Sequence, residues 1–309
     1  MPIDNSLPDV KLPVKLKTGE KSITCYYDQL ETIKVDLLYA PTIDELLNYI
    51  PDFCTATWRD EPYYDIPKHE RYELLRDLFD NLLLPTAYET INLTFKISGM
   101  DYIDVTHLLR HRMFSFSAQC TADRDQRHDD VVIKPAIAES AYLERFMRIT
   151  EAAKELYAEM VDSNLVSILD ARTILPRNLA TFYYARGNLK DCMAFIRQRL
   201  DEQIQPMSDN VIAMQMWLAI VKQYPPLIDK IKIGGPDEWY KKTVPSGRGS
   251  NIYMPKPEND TFDYKANWFL YPKRRDEFPG HEKYEAIKKK VIRQIGEIKY
   301  IYEGAGDVG

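Results

Sequence analysis

The chain has 309 residues, 45% of them hydrophobic and 28% charged, with a formal net charge of −6. That length supports one large domain or two modest ones with a full apolar core, and the acidic balance excludes a general attraction to nucleic acid or anionic membrane, so a bound anion must meet a local cluster of Arg or Lys. Cys25, Cys54, Cys120 and Cys192 lie far apart, without CxxC pairs or spaced histidines, a pattern that argues for free thiols over a zinc site or a disulfide framework.

The opening Met1-Pro2-Ile3-Asp4 has no basic segment followed by an apolar stretch, and no apolar run reaches membrane-spanning length. A cytoplasmic location is the expectation. Residues 1–45 mix Pro, Lys and Asp with short strand-like pieces such as Ile33 to Tyr39, and read as an N-terminal extension. Tyr72, Leu75, Leu78, Phe79, Leu82 and Leu83 fall at helical spacing, which predicts a helix from His69 to Leu84 that Pro85 ends. Ile91 to Ile97 alternates apolar and polar residues and predicts a half-buried strand.

Helical spacing returns from Asp104 to Phe114, with Val105, Leu108 and Leu109 on one side and His107, Arg110, His111 and Phe114 on another. A long amphipathic helix is predicted over 140–161, because Leu143, Phe146, Met147, Ala153, Leu156, Tyr157 and Met160 recur at three and four. Asn188 stands in N-cap position with Asp191 three residues on, which starts a helix from Leu189 to about Leu200. Another helix follows from Asp209 to Tyr224. Loops marked by Gly234-Gly235-Pro236 and Ser246-Gly247-Arg248-Gly249-Ser250 come next, and a basic helix from His281 to about Tyr302 ends the pattern. Neither a Walker nor a dinucleotide glycine fingerprint is present.

The chemistry concentrates on His107, Arg110 and His111 at i, i+3 and i+4, followed by Arg112. Arginine offers a planar fork of donors for phosphate or pyrimidine carbonyls, and histidine titrates near neutrality. From spacing alone, a solvated basic helix end explains the patch as well.

Arg110-His111-Arg112, with Ser115 and Cys120 downstream, resembles the Arg-His-Arg motif of the flavin-dependent thymidylate synthases, which ends in a serine where Cys120 stands. Thr86-Ala87-Tyr88-Glu89 before the Thr94-Phe95 strand is similar to the family's His-x-Thr-Pro-x-Glu-His segment without its two histidines, and Thr57 occupies the serine position of an earlier loop. Asp170-Ala171-Arg172-Thr173-Ile174-Leu175-Pro176-Arg177-Asn178-Leu179 resembles the family's Ala-Arg-x-x-Leu-Pro-x-Asn-Leu block, and Asn188 and Arg199 then fall in register without a gap. The resemblance covers roughly residues 54–228.

It implies an α+β fold, a mixed sheet flanked by helices, with a catalytic domain over 46–230 between the N-terminal extension and a C-terminal extension over 231–309. It further implies FAD held by Thr57, Thr86, Glu89, Arg110, His111, Arg112, Ser117 and Asn188. A pyrimidine nucleotide would be bound by His107, Arg110, Gln119, Cys120, Arg172 and Arg199, with sites shared between subunits of a homotetramer and no nucleic acid or membrane partner. Arg199 would stabilise negative charge on the O2/N3 edge of the ring and make C5 nucleophilic. The implied reaction is C5 methylation of dUMP or UMP, with methylenetetrahydrofolate as carbon donor, NADPH as reductant and no metal. Hydroxymethylation, modification of a cytosine nucleotide, and an inactive flavin- or nucleotide-binding relative are the alternatives.

Where the family follows its serine with Gly-Arg, the arginine binding phosphate, this chain has Thr121-Ala122, and Arg124 and Arg127 are the loop residues available to replace it. Ala118 stands for a family glutamate and Gln203 for a family histidine. Cys120 reads either as a small polar contact or as a thiolate nucleophile adding to C6. Taken singly, Thr86 with Glu89 reads as a capping box, Asn188 as an N-cap and Arg172 as a surface salt-bridge partner.

Overall fold

The structure is a computed structural model and describes residues 10–18, 22–56, 66–81, 84–202, 205–234 and 279–306. In chain order it contains β1 (Val14–Thr18), β2 (Ser22–Asp28), α1 (Gln29–Thr32), β3 (Lys34–Tyr39), α2 (Ile43–Leu47), α3 (Ile50–Thr55), α4 (Lys68–Asn81) and α5 (Pro85–Thr90). There follow β4 (Asn92–Asp101), α6 (Tyr102–Leu108), β5 (Ser115–Ala118), β6 (Val131–Ile133), α7 (Pro135–Ala138), α8 (Leu143–Asp162) and α9 (Ile168–Ala171). β7 (Ala180–Asn188), α10 (Leu189–Arg199), α11 (Met207–Gln223) and α12 (His281–Gly306) complete the α+β fold.

The central sheet runs β3-β4-β7-β5, antiparallel throughout. Leu93, Phe95 and Ile97 of β4 and Tyr183 and Ala185 of β7 point into the main core, as the period of two requires. The opposite face carries Thr94, Lys96, Phe182, Tyr184 and Arg186, with the Lys96 ammonium 5.1 Å from the centre of the Phe182 ring. β4 continues past a bulge at Gly99, whose φ of +79° and close approach to Thr32 O leave no room for a Cβ atom.

α11 is buried along nearly its whole length, from Met207 to Val221, which an apolar run on all sides dictates. It packs on α6, α10, β3 and α12. α12 inserts Tyr284 and Val291 into the same core, and Lys288 meets Glu202 while Lys299 meets Asp229. A second, smaller core joins the three-stranded sheet β1-β2-β6 to the inner face of α8 through Tyr26, Val131, Ile133, Leu143 and Met147. Lys154 of α8 is buried there, its ammonium donating to Thr24 Oγ1 (2.7 Å) and Asp129 O (2.5 Å), and burial pulls its pKa down.

Three expectations are corrected. α4 does not run on to Pro85, because Leu84 is already extended; Pro85 occupies the first turn of α5, where its missing N–H costs nothing. Thr86 and Glu89 lie inside α5, whose N-cap Leu84 accepts no side-chain bond, so they form no capping box. The helix expected from Asp104 to Phe114 stops at Leu108. The strand expected around Ile33 to Tyr39 is β3, hydrogen-bonded into the central sheet through Lys34↔Ser98 and Val35↔Ile97. Among the described residues no helix is long and apolar enough to cross a membrane.

Candidate active site

Asp101 caps α6 by accepting from Asp104 N at 2.9 Å. The chain leaves helical geometry after Leu108 because it must enter β5, whose Ser115 pairs with Arg186 of β7. Gly187 decides the turn: a Cβ there would lie 2.8 Å from the Phe114 ring, so the missing side chain makes the seat for Phe114. This tertiary contact overrides the helical spacing that Leu108, Leu109 and Phe114 display in the sequence. Arg110 and Arg112 are consequently exposed on the turn, while His111 faces inward with its ring edge-on to Phe195, centroids 4.6 Å apart.

His111 meets Arg199, the last residue of α10, which is only 4% exposed. The guanidinium donates from Nε to His111 Nε2 (2.9 Å) and from Nη1 to Gln205 Oε1 (2.5 Å) and Asp209 Oδ2 (2.8 Å). Both ring nitrogens of His107 lie within 3.2 Å of Nη1, and its Nδ1 is 2.9 Å from the same Asp209 oxygen. Asn210 Nδ2 donates to the Arg199 carbonyl at 2.7 Å. Burial, reinforced by the positive charge of Arg199, lowers the His111 pKa to about 4. The ring is therefore neutral at pH 7, and accepting at Nε2 assigns its proton to Nδ1.

β5 leads from this turn into the segment Gln119-Cys120-Thr121-Ala122. Gln119 N donates to Phe182 O at 3.1 Å, and in the orientation that satisfies its amide, the side-chain oxygen accepts from Arg124 Nε (3.0 Å) while the nitrogen donates to Thr181 Oγ1 (3.3 Å). Cys120 is exposed, its Sγ accepting from Ala122 N at 3.3 Å. Arg172 donates from Nη1 to Thr121 Oγ1 (2.7 Å) and from Nε to Leu169 O (3.0 Å). The buried Gln126 pins the loop from below through Nε2 to Thr121 O (2.7 Å). Arg124 is held by both oxygens of Asp129, and Arg127 by Asp125 and Asp162. The two loop arginines are thus already neutralised, and Arg172 is the cation beside Thr121.

The remaining predicted residues lie on β5, on α5 and at the start of α10. Asn188 pairs across the sheet with Asn92 and caps α10, its Oδ1 accepting from Asp191 N at 2.9 Å. α5 packs on α10. It carries exposed Thr86, and Glu89 ion-pairs with Lys190. Ser117 is exposed on β5 opposite Tyr184. Thr57 and Gln203 lie outside the described residues. The sequence reading missed Gln205, Asp209 and Asn210; the available signal was a polar pair, Asp209-Asn210, opening an otherwise apolar helix.

The sign of the His111 shift yields a prediction. Its folded pKa lies below its unfolded value of roughly 6.5, so this group stabilises the fold fully above pH 6.5 and loses that contribution as pH falls toward about 4. Discounted for partial solvation, the contribution is about 1–2 kcal/mol. Urea unfolding of wild type and His111→Gln at neutral and acidic pH is expected to show a shallower acid loss in the variant; equal losses would contradict the assignment.

The sequence profile of the family described as "Thymidylate synthase complementing protein" matches residues 37–226. A flavin-dependent thymidylate synthase of Mycobacteroides abscessus is 25% identical over 193 residues, covering 55% of this chain and 76% of the relative. A flavin-dependent thymidylate synthase of Nitratidesulfovibrio vulgaris is 30% identical over 119 residues, 36% of this chain and 49% of the relative. The fold is similar to the UMP/dUMP methylase PolB from Streptomyces cacaoi bound with 5-Br UMP, at 19% identity and TM-score 0.50, over 65% of this chain and 93% of that one. The matched span runs from within β3 through β4, the Arg110-His111-Arg112 turn, β7, α10 and α11, and on this evidence the chain belongs to the thymidylate synthase complementing protein family, that of the flavin-dependent thymidylate synthases.

Proposed function

We propose that the chain methylates C5 of a uridine nucleotide, dUMP or UMP, using FAD, methylenetetrahydrofolate as carbon donor and NADPH as reductant. The observation that carries the reading is the Arg199 constellation within a chain of this family: a cation desolvated at the end of α10 and flanked by His107 and His111. A fixed guanidinium in a site poor in water stabilises negative charge on a pyrimidine edge far better than a solvated one does. By stabilising the ring anion left when N3 loses its proton, the guanidinium favours the form whose C5 is nucleophilic. UMP stands beside dUMP as substrate because the S. cacaoi enzyme with this fold is a UMP/dUMP methylase.

The residues present suit an anionic dinucleotide. Arg110 and Arg112 are exposed on one turn, and no described carboxylate neutralises them. The Ser117 hydroxyl is exposed on the strand that follows, and Asn188, with α5 carrying Thr86 and Glu89, lies beside the start of α10. Bound there, FAD would supply the transfer of hydride and of the one-carbon unit. The chain's own residues bind and orient: Arg110, Arg112 and His111 on the cofactor side, and His107, Gln119, Cys120 and Arg172 around the nucleotide. Arg172, aimed by Thr121, takes the phosphate in place of the family's absent arginine. The catalytic unit takes in β3 of the central sheet and so spans at least residues 34–230, and a homotetramer completes each site with exposed residues of neighbouring copies.

Cys120 serves as a polar contact in this scheme. Serine preserves the acceptor for Ala122 N, so Cys120→Ser is expected to keep turnover within about threefold of wild type; a loss of two orders of magnitude would instead make the thiolate a nucleophile. The reaction itself is tested on the purified protein, which should be yellow. Tritium release from C5-labelled dUMP or UMP, with methylenetetrahydrofolate and NADPH present, is the expected result, with mass spectrometry separating a methyl from a hydroxymethyl product. Release from neither nucleotide would overturn the proposal and leave a cytosine-nucleotide enzyme or an inactive relative.

A further inference from the structure

The first turn of α11 was absorbed by no motif, yet it grips Arg199 at two points. Asp209 is fully buried, and its Oδ2 is shared between Arg199 Nη1 (2.8 Å) and His107 Nδ1 (2.9 Å). Asn210 holds the Arg199 carbonyl (2.7 Å), and Gln205 takes Nη1 as well (2.5 Å). Asp209 Oδ1 is buried and has no hydrogen-bond partner. A carboxylate left half-satisfied in the core is a poor stability device, because a buried ion pair rarely outperforms an apolar replacement. What the arrangement does achieve is geometric. One oxygen fixes the relative orientation of a residue from α10 and a residue from α6, and the helix dipole at the start of α11 favours the negative charge there.

We propose that Asp209 is the positioning residue of the nucleotide site, aiming the Arg199 guanidinium and the His107 ring at one pyrimidine edge. The inference rests on the nucleotide-binding reading above. Asp209 touches neither substrate nor cofactor; it acts through Arg199 and His107, as a supporting shell does for the groups it orients. The Asp209→Asn variant keeps the shape and removes the charge. A misdirected guanidinium then weakens both the ground-state contact and the charge stabilisation during reaction.

The test uses full-length protein with its flavin, titrated with UMP and with dUMP while the flavin absorbance is followed. Asp209→Asn is expected to retain bound flavin, to weaken nucleotide binding about tenfold and to lower turnover per flavin about 10- to 100-fold. In an Arg199→Met background, adding Asp209→Asn is expected to change nucleotide affinity less than about threefold, since only the His107 ring is left for it to aim. That pair also removes both buried charges together, so it decides the matter if the single variant fails to fold. Wild-type affinity and turnover per flavin in Asp209→Asn, or a further tenfold loss in the Arg199→Met background, would overturn the proposal. Nucleotide binding reads Asp209 independently of product formation. Intact coupling without label release in wild type would fail the reaction and leave this inference standing.

Discussion

The constraint on which the site depends is the burial of the Arg199 charge. A guanidinium withdrawn from water must find partners for its N–H groups and a counter-charge, or the desolvation cost would unseat it. Those partners come from separate places in the chain: His107 from α6, His111 from the following turn, Asp209 from α11, and Gln205 from just before it. Each is placed by an element with its own reason to be there. α11 is held by its apolar surface, α6 by the Asp101 cap, and the turn by the Phe114 ring seated on Gly187. His111 stays neutral because it is buried in a partly dry pocket, and beside a positive charge as well, and neutrality is what lets it accept from Arg199.

β5 organises the rest. Its four residues span roughly 13 Å at the usual strand rise, with the exposed cations Arg110 and Arg112 before it and the Gln119-Cys120-Thr121 segment, carrying Arg172, after it. In the proposed reading the dinucleotide would lie against Arg110 and Arg112, with the pyrimidine at Arg199 beside the same turn and the phosphate toward Arg172 past the strand's other end. The replacement of Ser-Gly-Arg by Cys120-Thr121-Ala122 then becomes a local rearrangement. The arginine of the motif is gone, Arg124 and Arg127 are tied to aspartates, and Thr121 presents its hydroxyl to Arg172.

The parts of the fold governed by local rules were legible in the sequence. α8 followed from its apolar period, α10 from Asn188 with Asp191, and β4 from the alternation beginning at Ile91, because short-range contacts fix each of them. β7 and the three-residue β6 were not anticipated, and the helix through Arg110-His111-Arg112 was drawn too long, because the Phe114–Gly187 contact that stops it is remote in sequence. Motif order pointed to His107, Arg172 and Arg199. Asp209 and Gln205 carry no motif, and their role exists only once α11 is docked against α10.

The central claim is that a planar, correctly aimed guanidinium at position 199 holds the nucleotide, and Arg199→Lys tests it most directly because it keeps the charge and removes the fork. Measured by UMP and dUMP titration of the flavin spectrum, the account predicts retained flavin and a loss of nucleotide affinity of at least about tenfold, equivalent to about 1.4 kcal/mol. Wild-type affinity in the lysine variant would contradict it.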